Sequence, residues 1–395
     1  MKIQVISEYA YPDNFRVNEI IETLTGMGHG VRLITGLPDY ANGYVPAEYK
    51  RFKNRKEYAL GAEIIHIPSI ERRTGVVRRI LNYMSFMVNS SLYALFSSKR
   101  DFDVIFVNET SPIFQLLPGI IWKKKTGKKL VLYCYDLWPE SMKAWNVTEN
   151  NLMYRITKKF CVWLYSKCDV IAITSRPFSE YLVNECRVPD EKIYYLPQFA
   201  TDEFADIAAS YEENNCIDFL FAGNVGAVQN LDVILDAVSL VKEEGYLVHI
   251  VGDGSELVRL MQKAKDLQLE DKIVFHGRFP ASEMKRFYAM ADCFLATLRG
   301  GDFIGKTLPA KVQSYLSVGK PIIGAIEGAG ADTIRDACCG EAVNPNDAEG
   351  LAEIIRHVIT DFEKYKQSGK NARTFYEKNY TKEIFMANLL NLLGE

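Results

Sequence analysis

The sequence predicts an α/β protein of two doubly wound domains, each built on a parallel sheet. Three observations carry this. Short apolar runs alternate with segments of helical period along the whole chain. The runs are apolar on both faces, as strands buried in a parallel sheet must be. They fall into two series, parted by a polar stretch at 197–215 that is poor in large aliphatic residues. The first domain is therefore assigned to 1–198 and the second to 199–379. A chain of 395 residues has room for two such cores.

Taken in order, the first series of strands is expected at 2–7, 30–35, 62–68, 103–108, 129–134, 169–174 and 192–197. Each is rich in Val, Ile, Leu or Tyr and is bounded by turn formers. The second series is expected at 217–223, 247–254, 272–277, 293–297, 320–326 and 340–344. Segments such as 230–244 and 255–268 show helical periodicity. From about 347 a long helical stretch runs to the end, with an interruption near 379–382. In "LPAKVQSYLSVGKPIIG" (308–324), Pro309 suits a helix start and Gly319 a helix stop before a buried strand. Two such sheets would turn their strand C-terminal ends onto one cleft, where ligands bind in folds of this kind.

Composition narrows the function. Hydrophobic residues make up 48% and charged residues 25%, an ordinary globular balance. The first residues read as a strand rather than a signal peptide. The stretch 80–96 is too short and too often polar to span a bilayer. The eight cysteines form no C-x-x-C pair and read as reduced core residues of a cytoplasmic protein. Net charge is −3, yet residues 50–130 carry sixteen Lys and Arg against six Asp and Glu. That block points to an anionic surface, and no nucleic-acid-binding module accompanies it. There is no Walker loop, no G-x-G-x-x-G and no G-x-S-x-G. No Cys/His cluster has metal spacing, and the Asp101-Phe102-Asp103 pair precedes a strand, so no metal is expected.

In the second domain a strand runs into Gly223-Asn224-Val225-Gly226, either a phosphate loop or a plain tight turn. Gly252 begins a second glycine turn in which Ser255 can cap a helix. Arg278 and Phe279 end another strand beside His276, where a base could stack or the ring could simply pack. Lys311 falls in the first turn of its helix, at the positive dipole end, where a cation is unfavourable unless an anion binds. Ser314 and Tyr315 are placed on the Lys311 face, and Thr307 or Leu308 at the cap.

In the first domain Asp136 follows an apolar strand in "YCYDLWPES", as a cleft carboxylate or a helix cap. Glu109 ends the preceding strand in the same way. Asp13, Asn14 and Arg16 follow the first strand, beside the cleft, where Asp13 or Asn14 is equally placed to cap a helix starting near 16. Residues 71–96 combine four arginines with an apolar stripe of Leu81, Met84, Val88, Leu92 and Leu95, opposite Arg78, Asn82, Ser85 and Asn89. The stripe faces either the core or an anionic lipid surface.

Over essentially its full length the chain resembles the retaining family 4 glycosyltransferases of GT-B fold. It is most similar to the bacterial surface-polysaccharide branch of amino-sugar or fucosamine transferases. The motifs are "DLWPES", "FAGNVGAVQNLD", "GDGSEL", "FHGRFP" and "LPAKVQSYLSVGKPIIG", in this order and spacing. The resemblance implies a metal-independent hexosyl or N-acetylhexosaminyl transfer from a nucleotide-diphosphate sugar, a UDP-sugar, with retention of configuration. It implies a polyprenyl-diphosphate-linked acceptor in capsule or O-antigen synthesis, at the inner face of the cell membrane. Gly223, Asn224, Gly226, Gly252, Arg278, Phe279, Lys306, Lys311 and Ser314 would then bind the donor. Asp136, Glu109 and Arg16 would be catalytic. Asp13, Asn14, Tyr135, Trp138 and Glu140 would bind the acceptor. The last helix, 380–395, would cross back to the first domain. The sequence departs from the family pattern at Tyr135, where relatives have histidine, and at Lys306 and Ser314, where they have glutamates. A UDP-sugar epimerase of GT-B architecture and a non-catalytic nucleotide-sugar-binding subunit are the competing readings.

Overall fold

A computed structural model describes the chain except residues 52, 146, 201–203, 205, 208–210, 212–215 and 302–303. Much of the 197–215 stretch, and so of the expected link, lies outside the described residues. The chain divides into two compact units, Met1–Leu196 with Met386–Glu395, and Pro197–Phe385. Each is built on one sheet, as the two series of apolar runs predict.

Unit 1 carries an eight-stranded sheet. Its strands are β1 (Lys2–Ile6), β2 (Gly30–Thr35), β3 (Lys56–Ala59), β4 (Ala62–His66), β5 (Val104–Glu109), β6 (Lys129–Cys134), β7 (Val170–Ile173) and β8 (Ile193–Tyr195). Their order is 3-4-2-1-5-6-7-8. All pairs are parallel except β3 with β4, a hairpin at the sheet edge. The sequence reading has no β3. "KEYA" carries two charges in four residues, which suits an edge strand and hides it from a search for apolar runs. The helices are α1 (Arg16–Gly26), α2 (Val76–Phe96), α3 (Leu116–Thr126), α4 (Leu152–Ser166) and α5 (Pro177–Asn184).

Unit 2 carries a six-stranded parallel sheet of β9 (Ile217–Ala222), β10 (Tyr246–Val251), β11 (Ile273–Gly277), β12 (Cys293–Thr297), β13 (Ile322–Ala325) and β14 (Gly340–Val343). The order is 11-10-9-12-13-14. Apolar clusters cover both faces. One gathers Phe219, Phe221, Ile234, Val248 and Ile355, the other Leu220, Phe294, Val312, Tyr315 and Leu316. The alternation of neighbours along β9 between the two clusters explains why the strand is apolar throughout. The helices are α6 (Asp232–Leu240), α7 (Leu257–Asp266), α8 (Ala281–Met290), α9 (Ala310–Val318), α10 (Ala329–Asp336), α11 (Ala348–Thr360) and α12 (Phe362–Asn379), followed by α13 (Lys382–Leu393), which belongs to unit 1 from Met386 on. The break between α12 and α13 falls at the expected interruption. Within unit 1, the Lys129 ammonium donates to the Leu392 carbonyl at 2.7 Å, tying down the last turn of α13.

Helix α2 reverses one of the two readings made for it. Asn82, Tyr83, Phe86, Met87, Ser90 and Ala94 are its buried residues. The apolar stripe of Leu81, Met84, Val88, Leu92 and Leu95 is exposed. Asn82 turns inward because it has partners there. Its Nδ2 donates to the Ile70 carbonyl at 2.7 Å and to Asp39 at 3.1 Å. Satisfied polar groups can be buried at little cost, and the face left over is the apolar one.

Candidate functional sites

In unit 2 the chain leaves β9 through Gly223, whose φ of +147° only glycine adopts readily. The loop is zipped to the one after β10. Gly223 N–H donates to the Val251 carbonyl, Val225 N–H to Asp253, and Glu256 N–H back to Val225, all at 2.9–3.0 Å. The two backbones are so close that a Cβ on Gly252 would lie 1.8 Å from the Gly223 carbonyl oxygen. Gly252 is therefore required for packing of this loop pair. The helix does not follow Gly226 directly, as expected. A 3-10 turn, Ala227–Gln229, intervenes, and α6 begins at Asp232, which is paired with Arg259 and Lys263. The first turn of α6 is thus acidic, and its acid is already paired with cations.

The first turn of α9, the other helix start singled out in the sequence, carries a cation instead. Pro309 is its N-cap, and neither Thr307 nor Leu308 caps it. Lys311 lies in the first turn, half-buried, with its ammonium 3.8 Å from the Phe221 ring centroid. A Cβ built on Gly223 would lie 3.6 Å from that ammonium. Its hydrogen-bond partner is the Gln229 side-chain oxygen, and among the described residues no carboxylate pairs with it. Desolvation without a counter-charge pulls the Lys311 pKa down to about 7. Lys320, in the same motif, shows the contrasting case. It is buried, but its ammonium donates to the Ala289 and Ala291 carbonyls at the end of α8, where a helix welcomes a cation.

Other residues of the motif do different work from that expected. Tyr315 is fully buried and not on the Lys311 face. Its hydroxyl accepts from Ala222 N–H at 2.9 Å and donates to the Ala222 carbonyl at 3.2 Å, while its ring stacks on Phe294 at 4.3 Å. It pins α9 against the end of β9, and so sets where Lys311 stands. The Ser314 hydroxyl donates to the Ala310 carbonyl at 3.3 Å, one turn back in its own helix. Lys306 is half-buried in the turn Ile304–Lys306. Arg278 is exposed, whereas Phe279 packs on Phe287 at 4.9 Å. His276 lies in a chain, its Nε2 2.9 Å from His249 Nδ1, with His249 Nε2 2.9 Å from Asp218. Asn224 and Gly226 touch, Asn224 Nδ2 standing 2.6 Å from where a Cβ on Gly226 would be.

In unit 1 the candidate residues separate by depth. Asp136 is half-buried at the end of β6. Burial raises its pKa, and the Ser111 and Ser141 hydroxyls oppose that rise. Tyr135 is half-buried beside it, and burial raises its pKa against the opposing pull of Arg16. Arg16 itself pairs with Glu19 at 3.1 Å. Glu109 corrects the expectation of a substrate-facing acid. It is fully buried with both oxygens accepting no hydrogen bond, and burial holds its pKa far above the carboxylate range. Trp138 and Glu140 are likewise internal. Trp138 donates its indole N–H to Ser111 at 2.9 Å, and Glu140 joins Tyr154 and Lys143. Asp13 and Asn14 do not cap α1, whose N-cap is Phe15. Asp13 accepts instead from Tyr40 N–H at 3.1 Å, and Asn14 is exposed. Asp101 and Asp103 are taken up by Arg32 and by Lys2 N–H at the opposite end of β5. Among the described residues no group of three His, Cys, Asp or Glu could hold a metal ion.

The sequence reading misses a further cluster, Glu8, Asp39 and Arg72, after β1, after β2 and before α2. The guanidinium of Arg72 lies 4.4 Å from the Tyr40 ring centroid and 5.0 Å from that of Tyr9. Burial raises the pKa of Glu8 strongly and that of Asp39 to about 6. The signal available in sequence was polar residues ending two apolar strands, the same one that singled out Asp136.

Residues 15–203 match the family model Glycosyltransferase Family 4, and residues 203–375 match Glycosyl transferases group 1. The chain is 28% identical over 320 residues to the probable glycosyltransferase WbjE of Pseudomonas aeruginosa, covering 76% of this chain and 78% of the relative. It is 24% identical over 398 residues to the putative colanic acid biosynthesis glycosyl transferase WcaI of Escherichia coli K12, covering 94% of each. Among solved structures, Anabaena Alr3699/HepE in complex with UDP superposes with a TM-score of 0.71 at 14% identity, over 100% of this chain and 99% of that one.

Proposed function

Because the chain belongs to the GT-B glycosyltransferases of bacterial polysaccharide biosynthesis, we propose that it transfers a sugar from a UDP-sugar to a polyprenyl-diphosphate-linked glycan, with retention of anomeric configuration. The carrying observation is Lys311. A cation half out of water, at the positive end of α9 and without a carboxylate partner, is destabilised until an anion arrives. A diphosphate supplies the missing charge. As the bond from the sugar to that diphosphate breaks, negative charge grows on the leaving oxygen. Lys311 and the free N–H groups of the first turn of α9 stabilise it there. Gly223 lets the diphosphate approach the end of β9, with no side chain in the way. UDP as the nucleotide is supported by the relative solved with it. Asp136, held by Ser111 and Ser141, orients an acceptor hydroxyl in unit 1.

The exposed stripe on α2 supports attachment to the membrane that carries a lipid-linked acceptor. No helix among the described residues is long and apolar enough to cross a membrane. The stripe of Leu81, Val88, Leu92 and Leu95 instead lies flat on lipid, flanked by Arg78 and Arg79 before it and Lys99 and Arg100 after it. Each basic residue near an anionic leaflet contributes roughly 1 kcal/mol.

The test is transfer from a panel of UDP-, GDP- and TDP-sugars to a polyprenyl-diphosphate-linked acceptor in anionic vesicles, with product linkage read by NMR. Retained configuration from a UDP-sugar is the expected result. UDP binding without transfer to any acceptor points to the binding subunit, and near-wild-type turnover in a folded Lys311→Ala protein removes the diphosphate role.

A further inference from the structure

Two carboxylates lie buried in one neighbourhood at the C-terminal ends of β1 and β2. Glu8 is 2% exposed and Asp39 1%. Both Glu8 oxygens and Asp39 Oδ1 accept no hydrogen bond. The backbone of Glu8 is fully engaged, its N–H donating to Gln115 Oε1 at 2.8 Å and its carbonyl accepting from Gly36 N–H at 2.9 Å. Its position is therefore fixed while its carboxyl group stays unsatisfied. The Tyr9 hydroxyl, which favours the charged form of Glu8, gives its own proton to Asn82 Oδ1 at 2.7 Å. Asp39 Oδ2 accepts from Arg72 N–H at 2.8 Å and from Asn82 at 3.1 Å, which aims Oδ1 away from both. Arg72 is half-buried among the rings of Tyr9, Tyr40 and Tyr83, and among the described residues no carboxylate lies within ion-pair distance of its guanidinium. Buried oxygens without donors are costly; here, unlike at Glu109, they share a neighbourhood with a guanidinium and an exposed aromatic ring, where a ligand can supply the donors.

The chemistry selects the ligand. Two acidic side chains offer a phosphate no donors beyond those of Arg72. Hydroxyl groups suit the site, because each can donate to a carboxylate and accept from a guanidinium. Aromatic rings at the rim complement the apolar face of a sugar ring. Tyr40 is exposed there, held edge-on by Phe15 at 4.8 Å and by Tyr9 at 5.0 Å. We propose that Glu8, Asp39 and Arg72 form a subsite for a neutral sugar ring of the acceptor, whose hydroxyls donate to the free Glu8 and Asp39 oxygens and accept from Arg72, with Tyr40 against its C–H face. The assignment to the acceptor rests on the glycosyltransferase reading above; the sugar subsite itself rests on unit 1 alone.

The experiment is saturation-transfer NMR on the full chain, in saturating UDP, with the methyl glycosides of glucose, galactose, mannose, fucose and N-acetylglucosamine as probes. At least one glycoside is expected to bind, and Glu8→Gln and Asp39→Asn are each expected to weaken it by about tenfold, as for the loss of one hydrogen bond in a buried site. Melting temperature and UDP affinity, read in parallel, report the fold and unit 2. If either carboxylate variant fails to fold, Tyr40→Ala, a change at an exposed ring, is expected to abolish saturation without altering the melting temperature. Absence of saturation from every glycoside overturns the subsite, as does wild-type glycoside binding in the folded variants. A wild-type protein that binds glycosides but not UDP keeps the subsite and overturns the donor reading instead.

Discussion

Replacing Lys311 with methionine keeps the aliphatic stem on Phe221 and removes only the charge. In the free protein the ammonium has a pKa of about 7, because it is desolvated and unpaired. At pH 8 it is therefore only about one-tenth protonated. A bound diphosphate restores full protonation, so binding UDP at pH 8 should take up ~0.9 proton, and at pH 6 only ~0.1. Isothermal titration in two buffers of different ionisation enthalpy measures this directly. Two unit charges about 4 Å apart interact by about 4 kcal/mol at an effective dielectric constant of 20, an upper figure for a half-buried group. Turnover in Lys311→Met should accordingly fall by roughly 10²- to 10³-fold, as for loss of one preorganised donor to a leaving group. Stability should move the other way. The folded pKa lies below the ordinary lysine value, so the charge destabilises the free protein fully below pH 7, and the penalty fades as pH rises toward that ordinary value. Lys311→Met should thus melt higher than wild type at pH 6 and converge with it by pH 10. Equal binding enthalpies in both buffers at pH 8, or wild-type UDP affinity in the variant, would refute the reasoning.

Gly252→Ala should cost about 3 kcal/mol or more in urea denaturation and abolish UDP binding, because the added Cβ meets the Gly223 carbonyl oxygen at an unfavourable φ. Tyr315→Phe removes the hydroxyl that serves both polar groups of Ala222 and should cost about 1–3 kcal/mol, with UDP affinity falling as α9 loosens. On α2, Leu92→Asp should leave the melting temperature unchanged and reduce co-sedimentation with anionic vesicles. Phe86→Ala, on the buried face of the same helix, should cost about 3–5 kcal/mol. Retained vesicle binding in Leu92→Asp, with self-association lost, would make the stripe a contact between copies of the chain instead.

Periodicity is enough to read the strands of the parallel sheets, since a strand covered on both faces must be apolar throughout. It fails at β3, whose residues Lys56 and Glu57 belong to an uncovered edge. It also fails at α2, where the apolar stripe is easy to see but its direction is not. That direction depends on Asn82 finding Ile70 and Asp39, partners brought to it by other elements. Among the candidate site residues, glycine is the most legible, because a positive φ or a close approach leaves few alternatives, as at Gly223 and Gly252. Carboxylates are the least legible. Glu109 and Asp136 both end apolar strands, yet one is sealed in the core and the other reaches the surface. Glu8, in an equivalent position, draws no notice from pattern alone.

By itself the sequence determined the two α/β domains, the glycine loop after β9 and a lysine in the first turn of α9. These follow from local chemistry: side-chain period, backbone freedom and the direction of a helix dipole. The tertiary structure decided which of the polar residues at the strand ends are free to act. It left Lys311 without a carboxylate partner while pairing Asp232 of α6 with cations, turned Tyr315 into the strut beneath α9, and took Trp138 and Glu140 into internal hydrogen bonds. It also gathered Glu8, Asp39 and Arg72 from three distant points of the chain. Burial and hydrogen-bond satisfaction are properties of what surrounds a residue, and those surroundings come from elements that no local pattern can place.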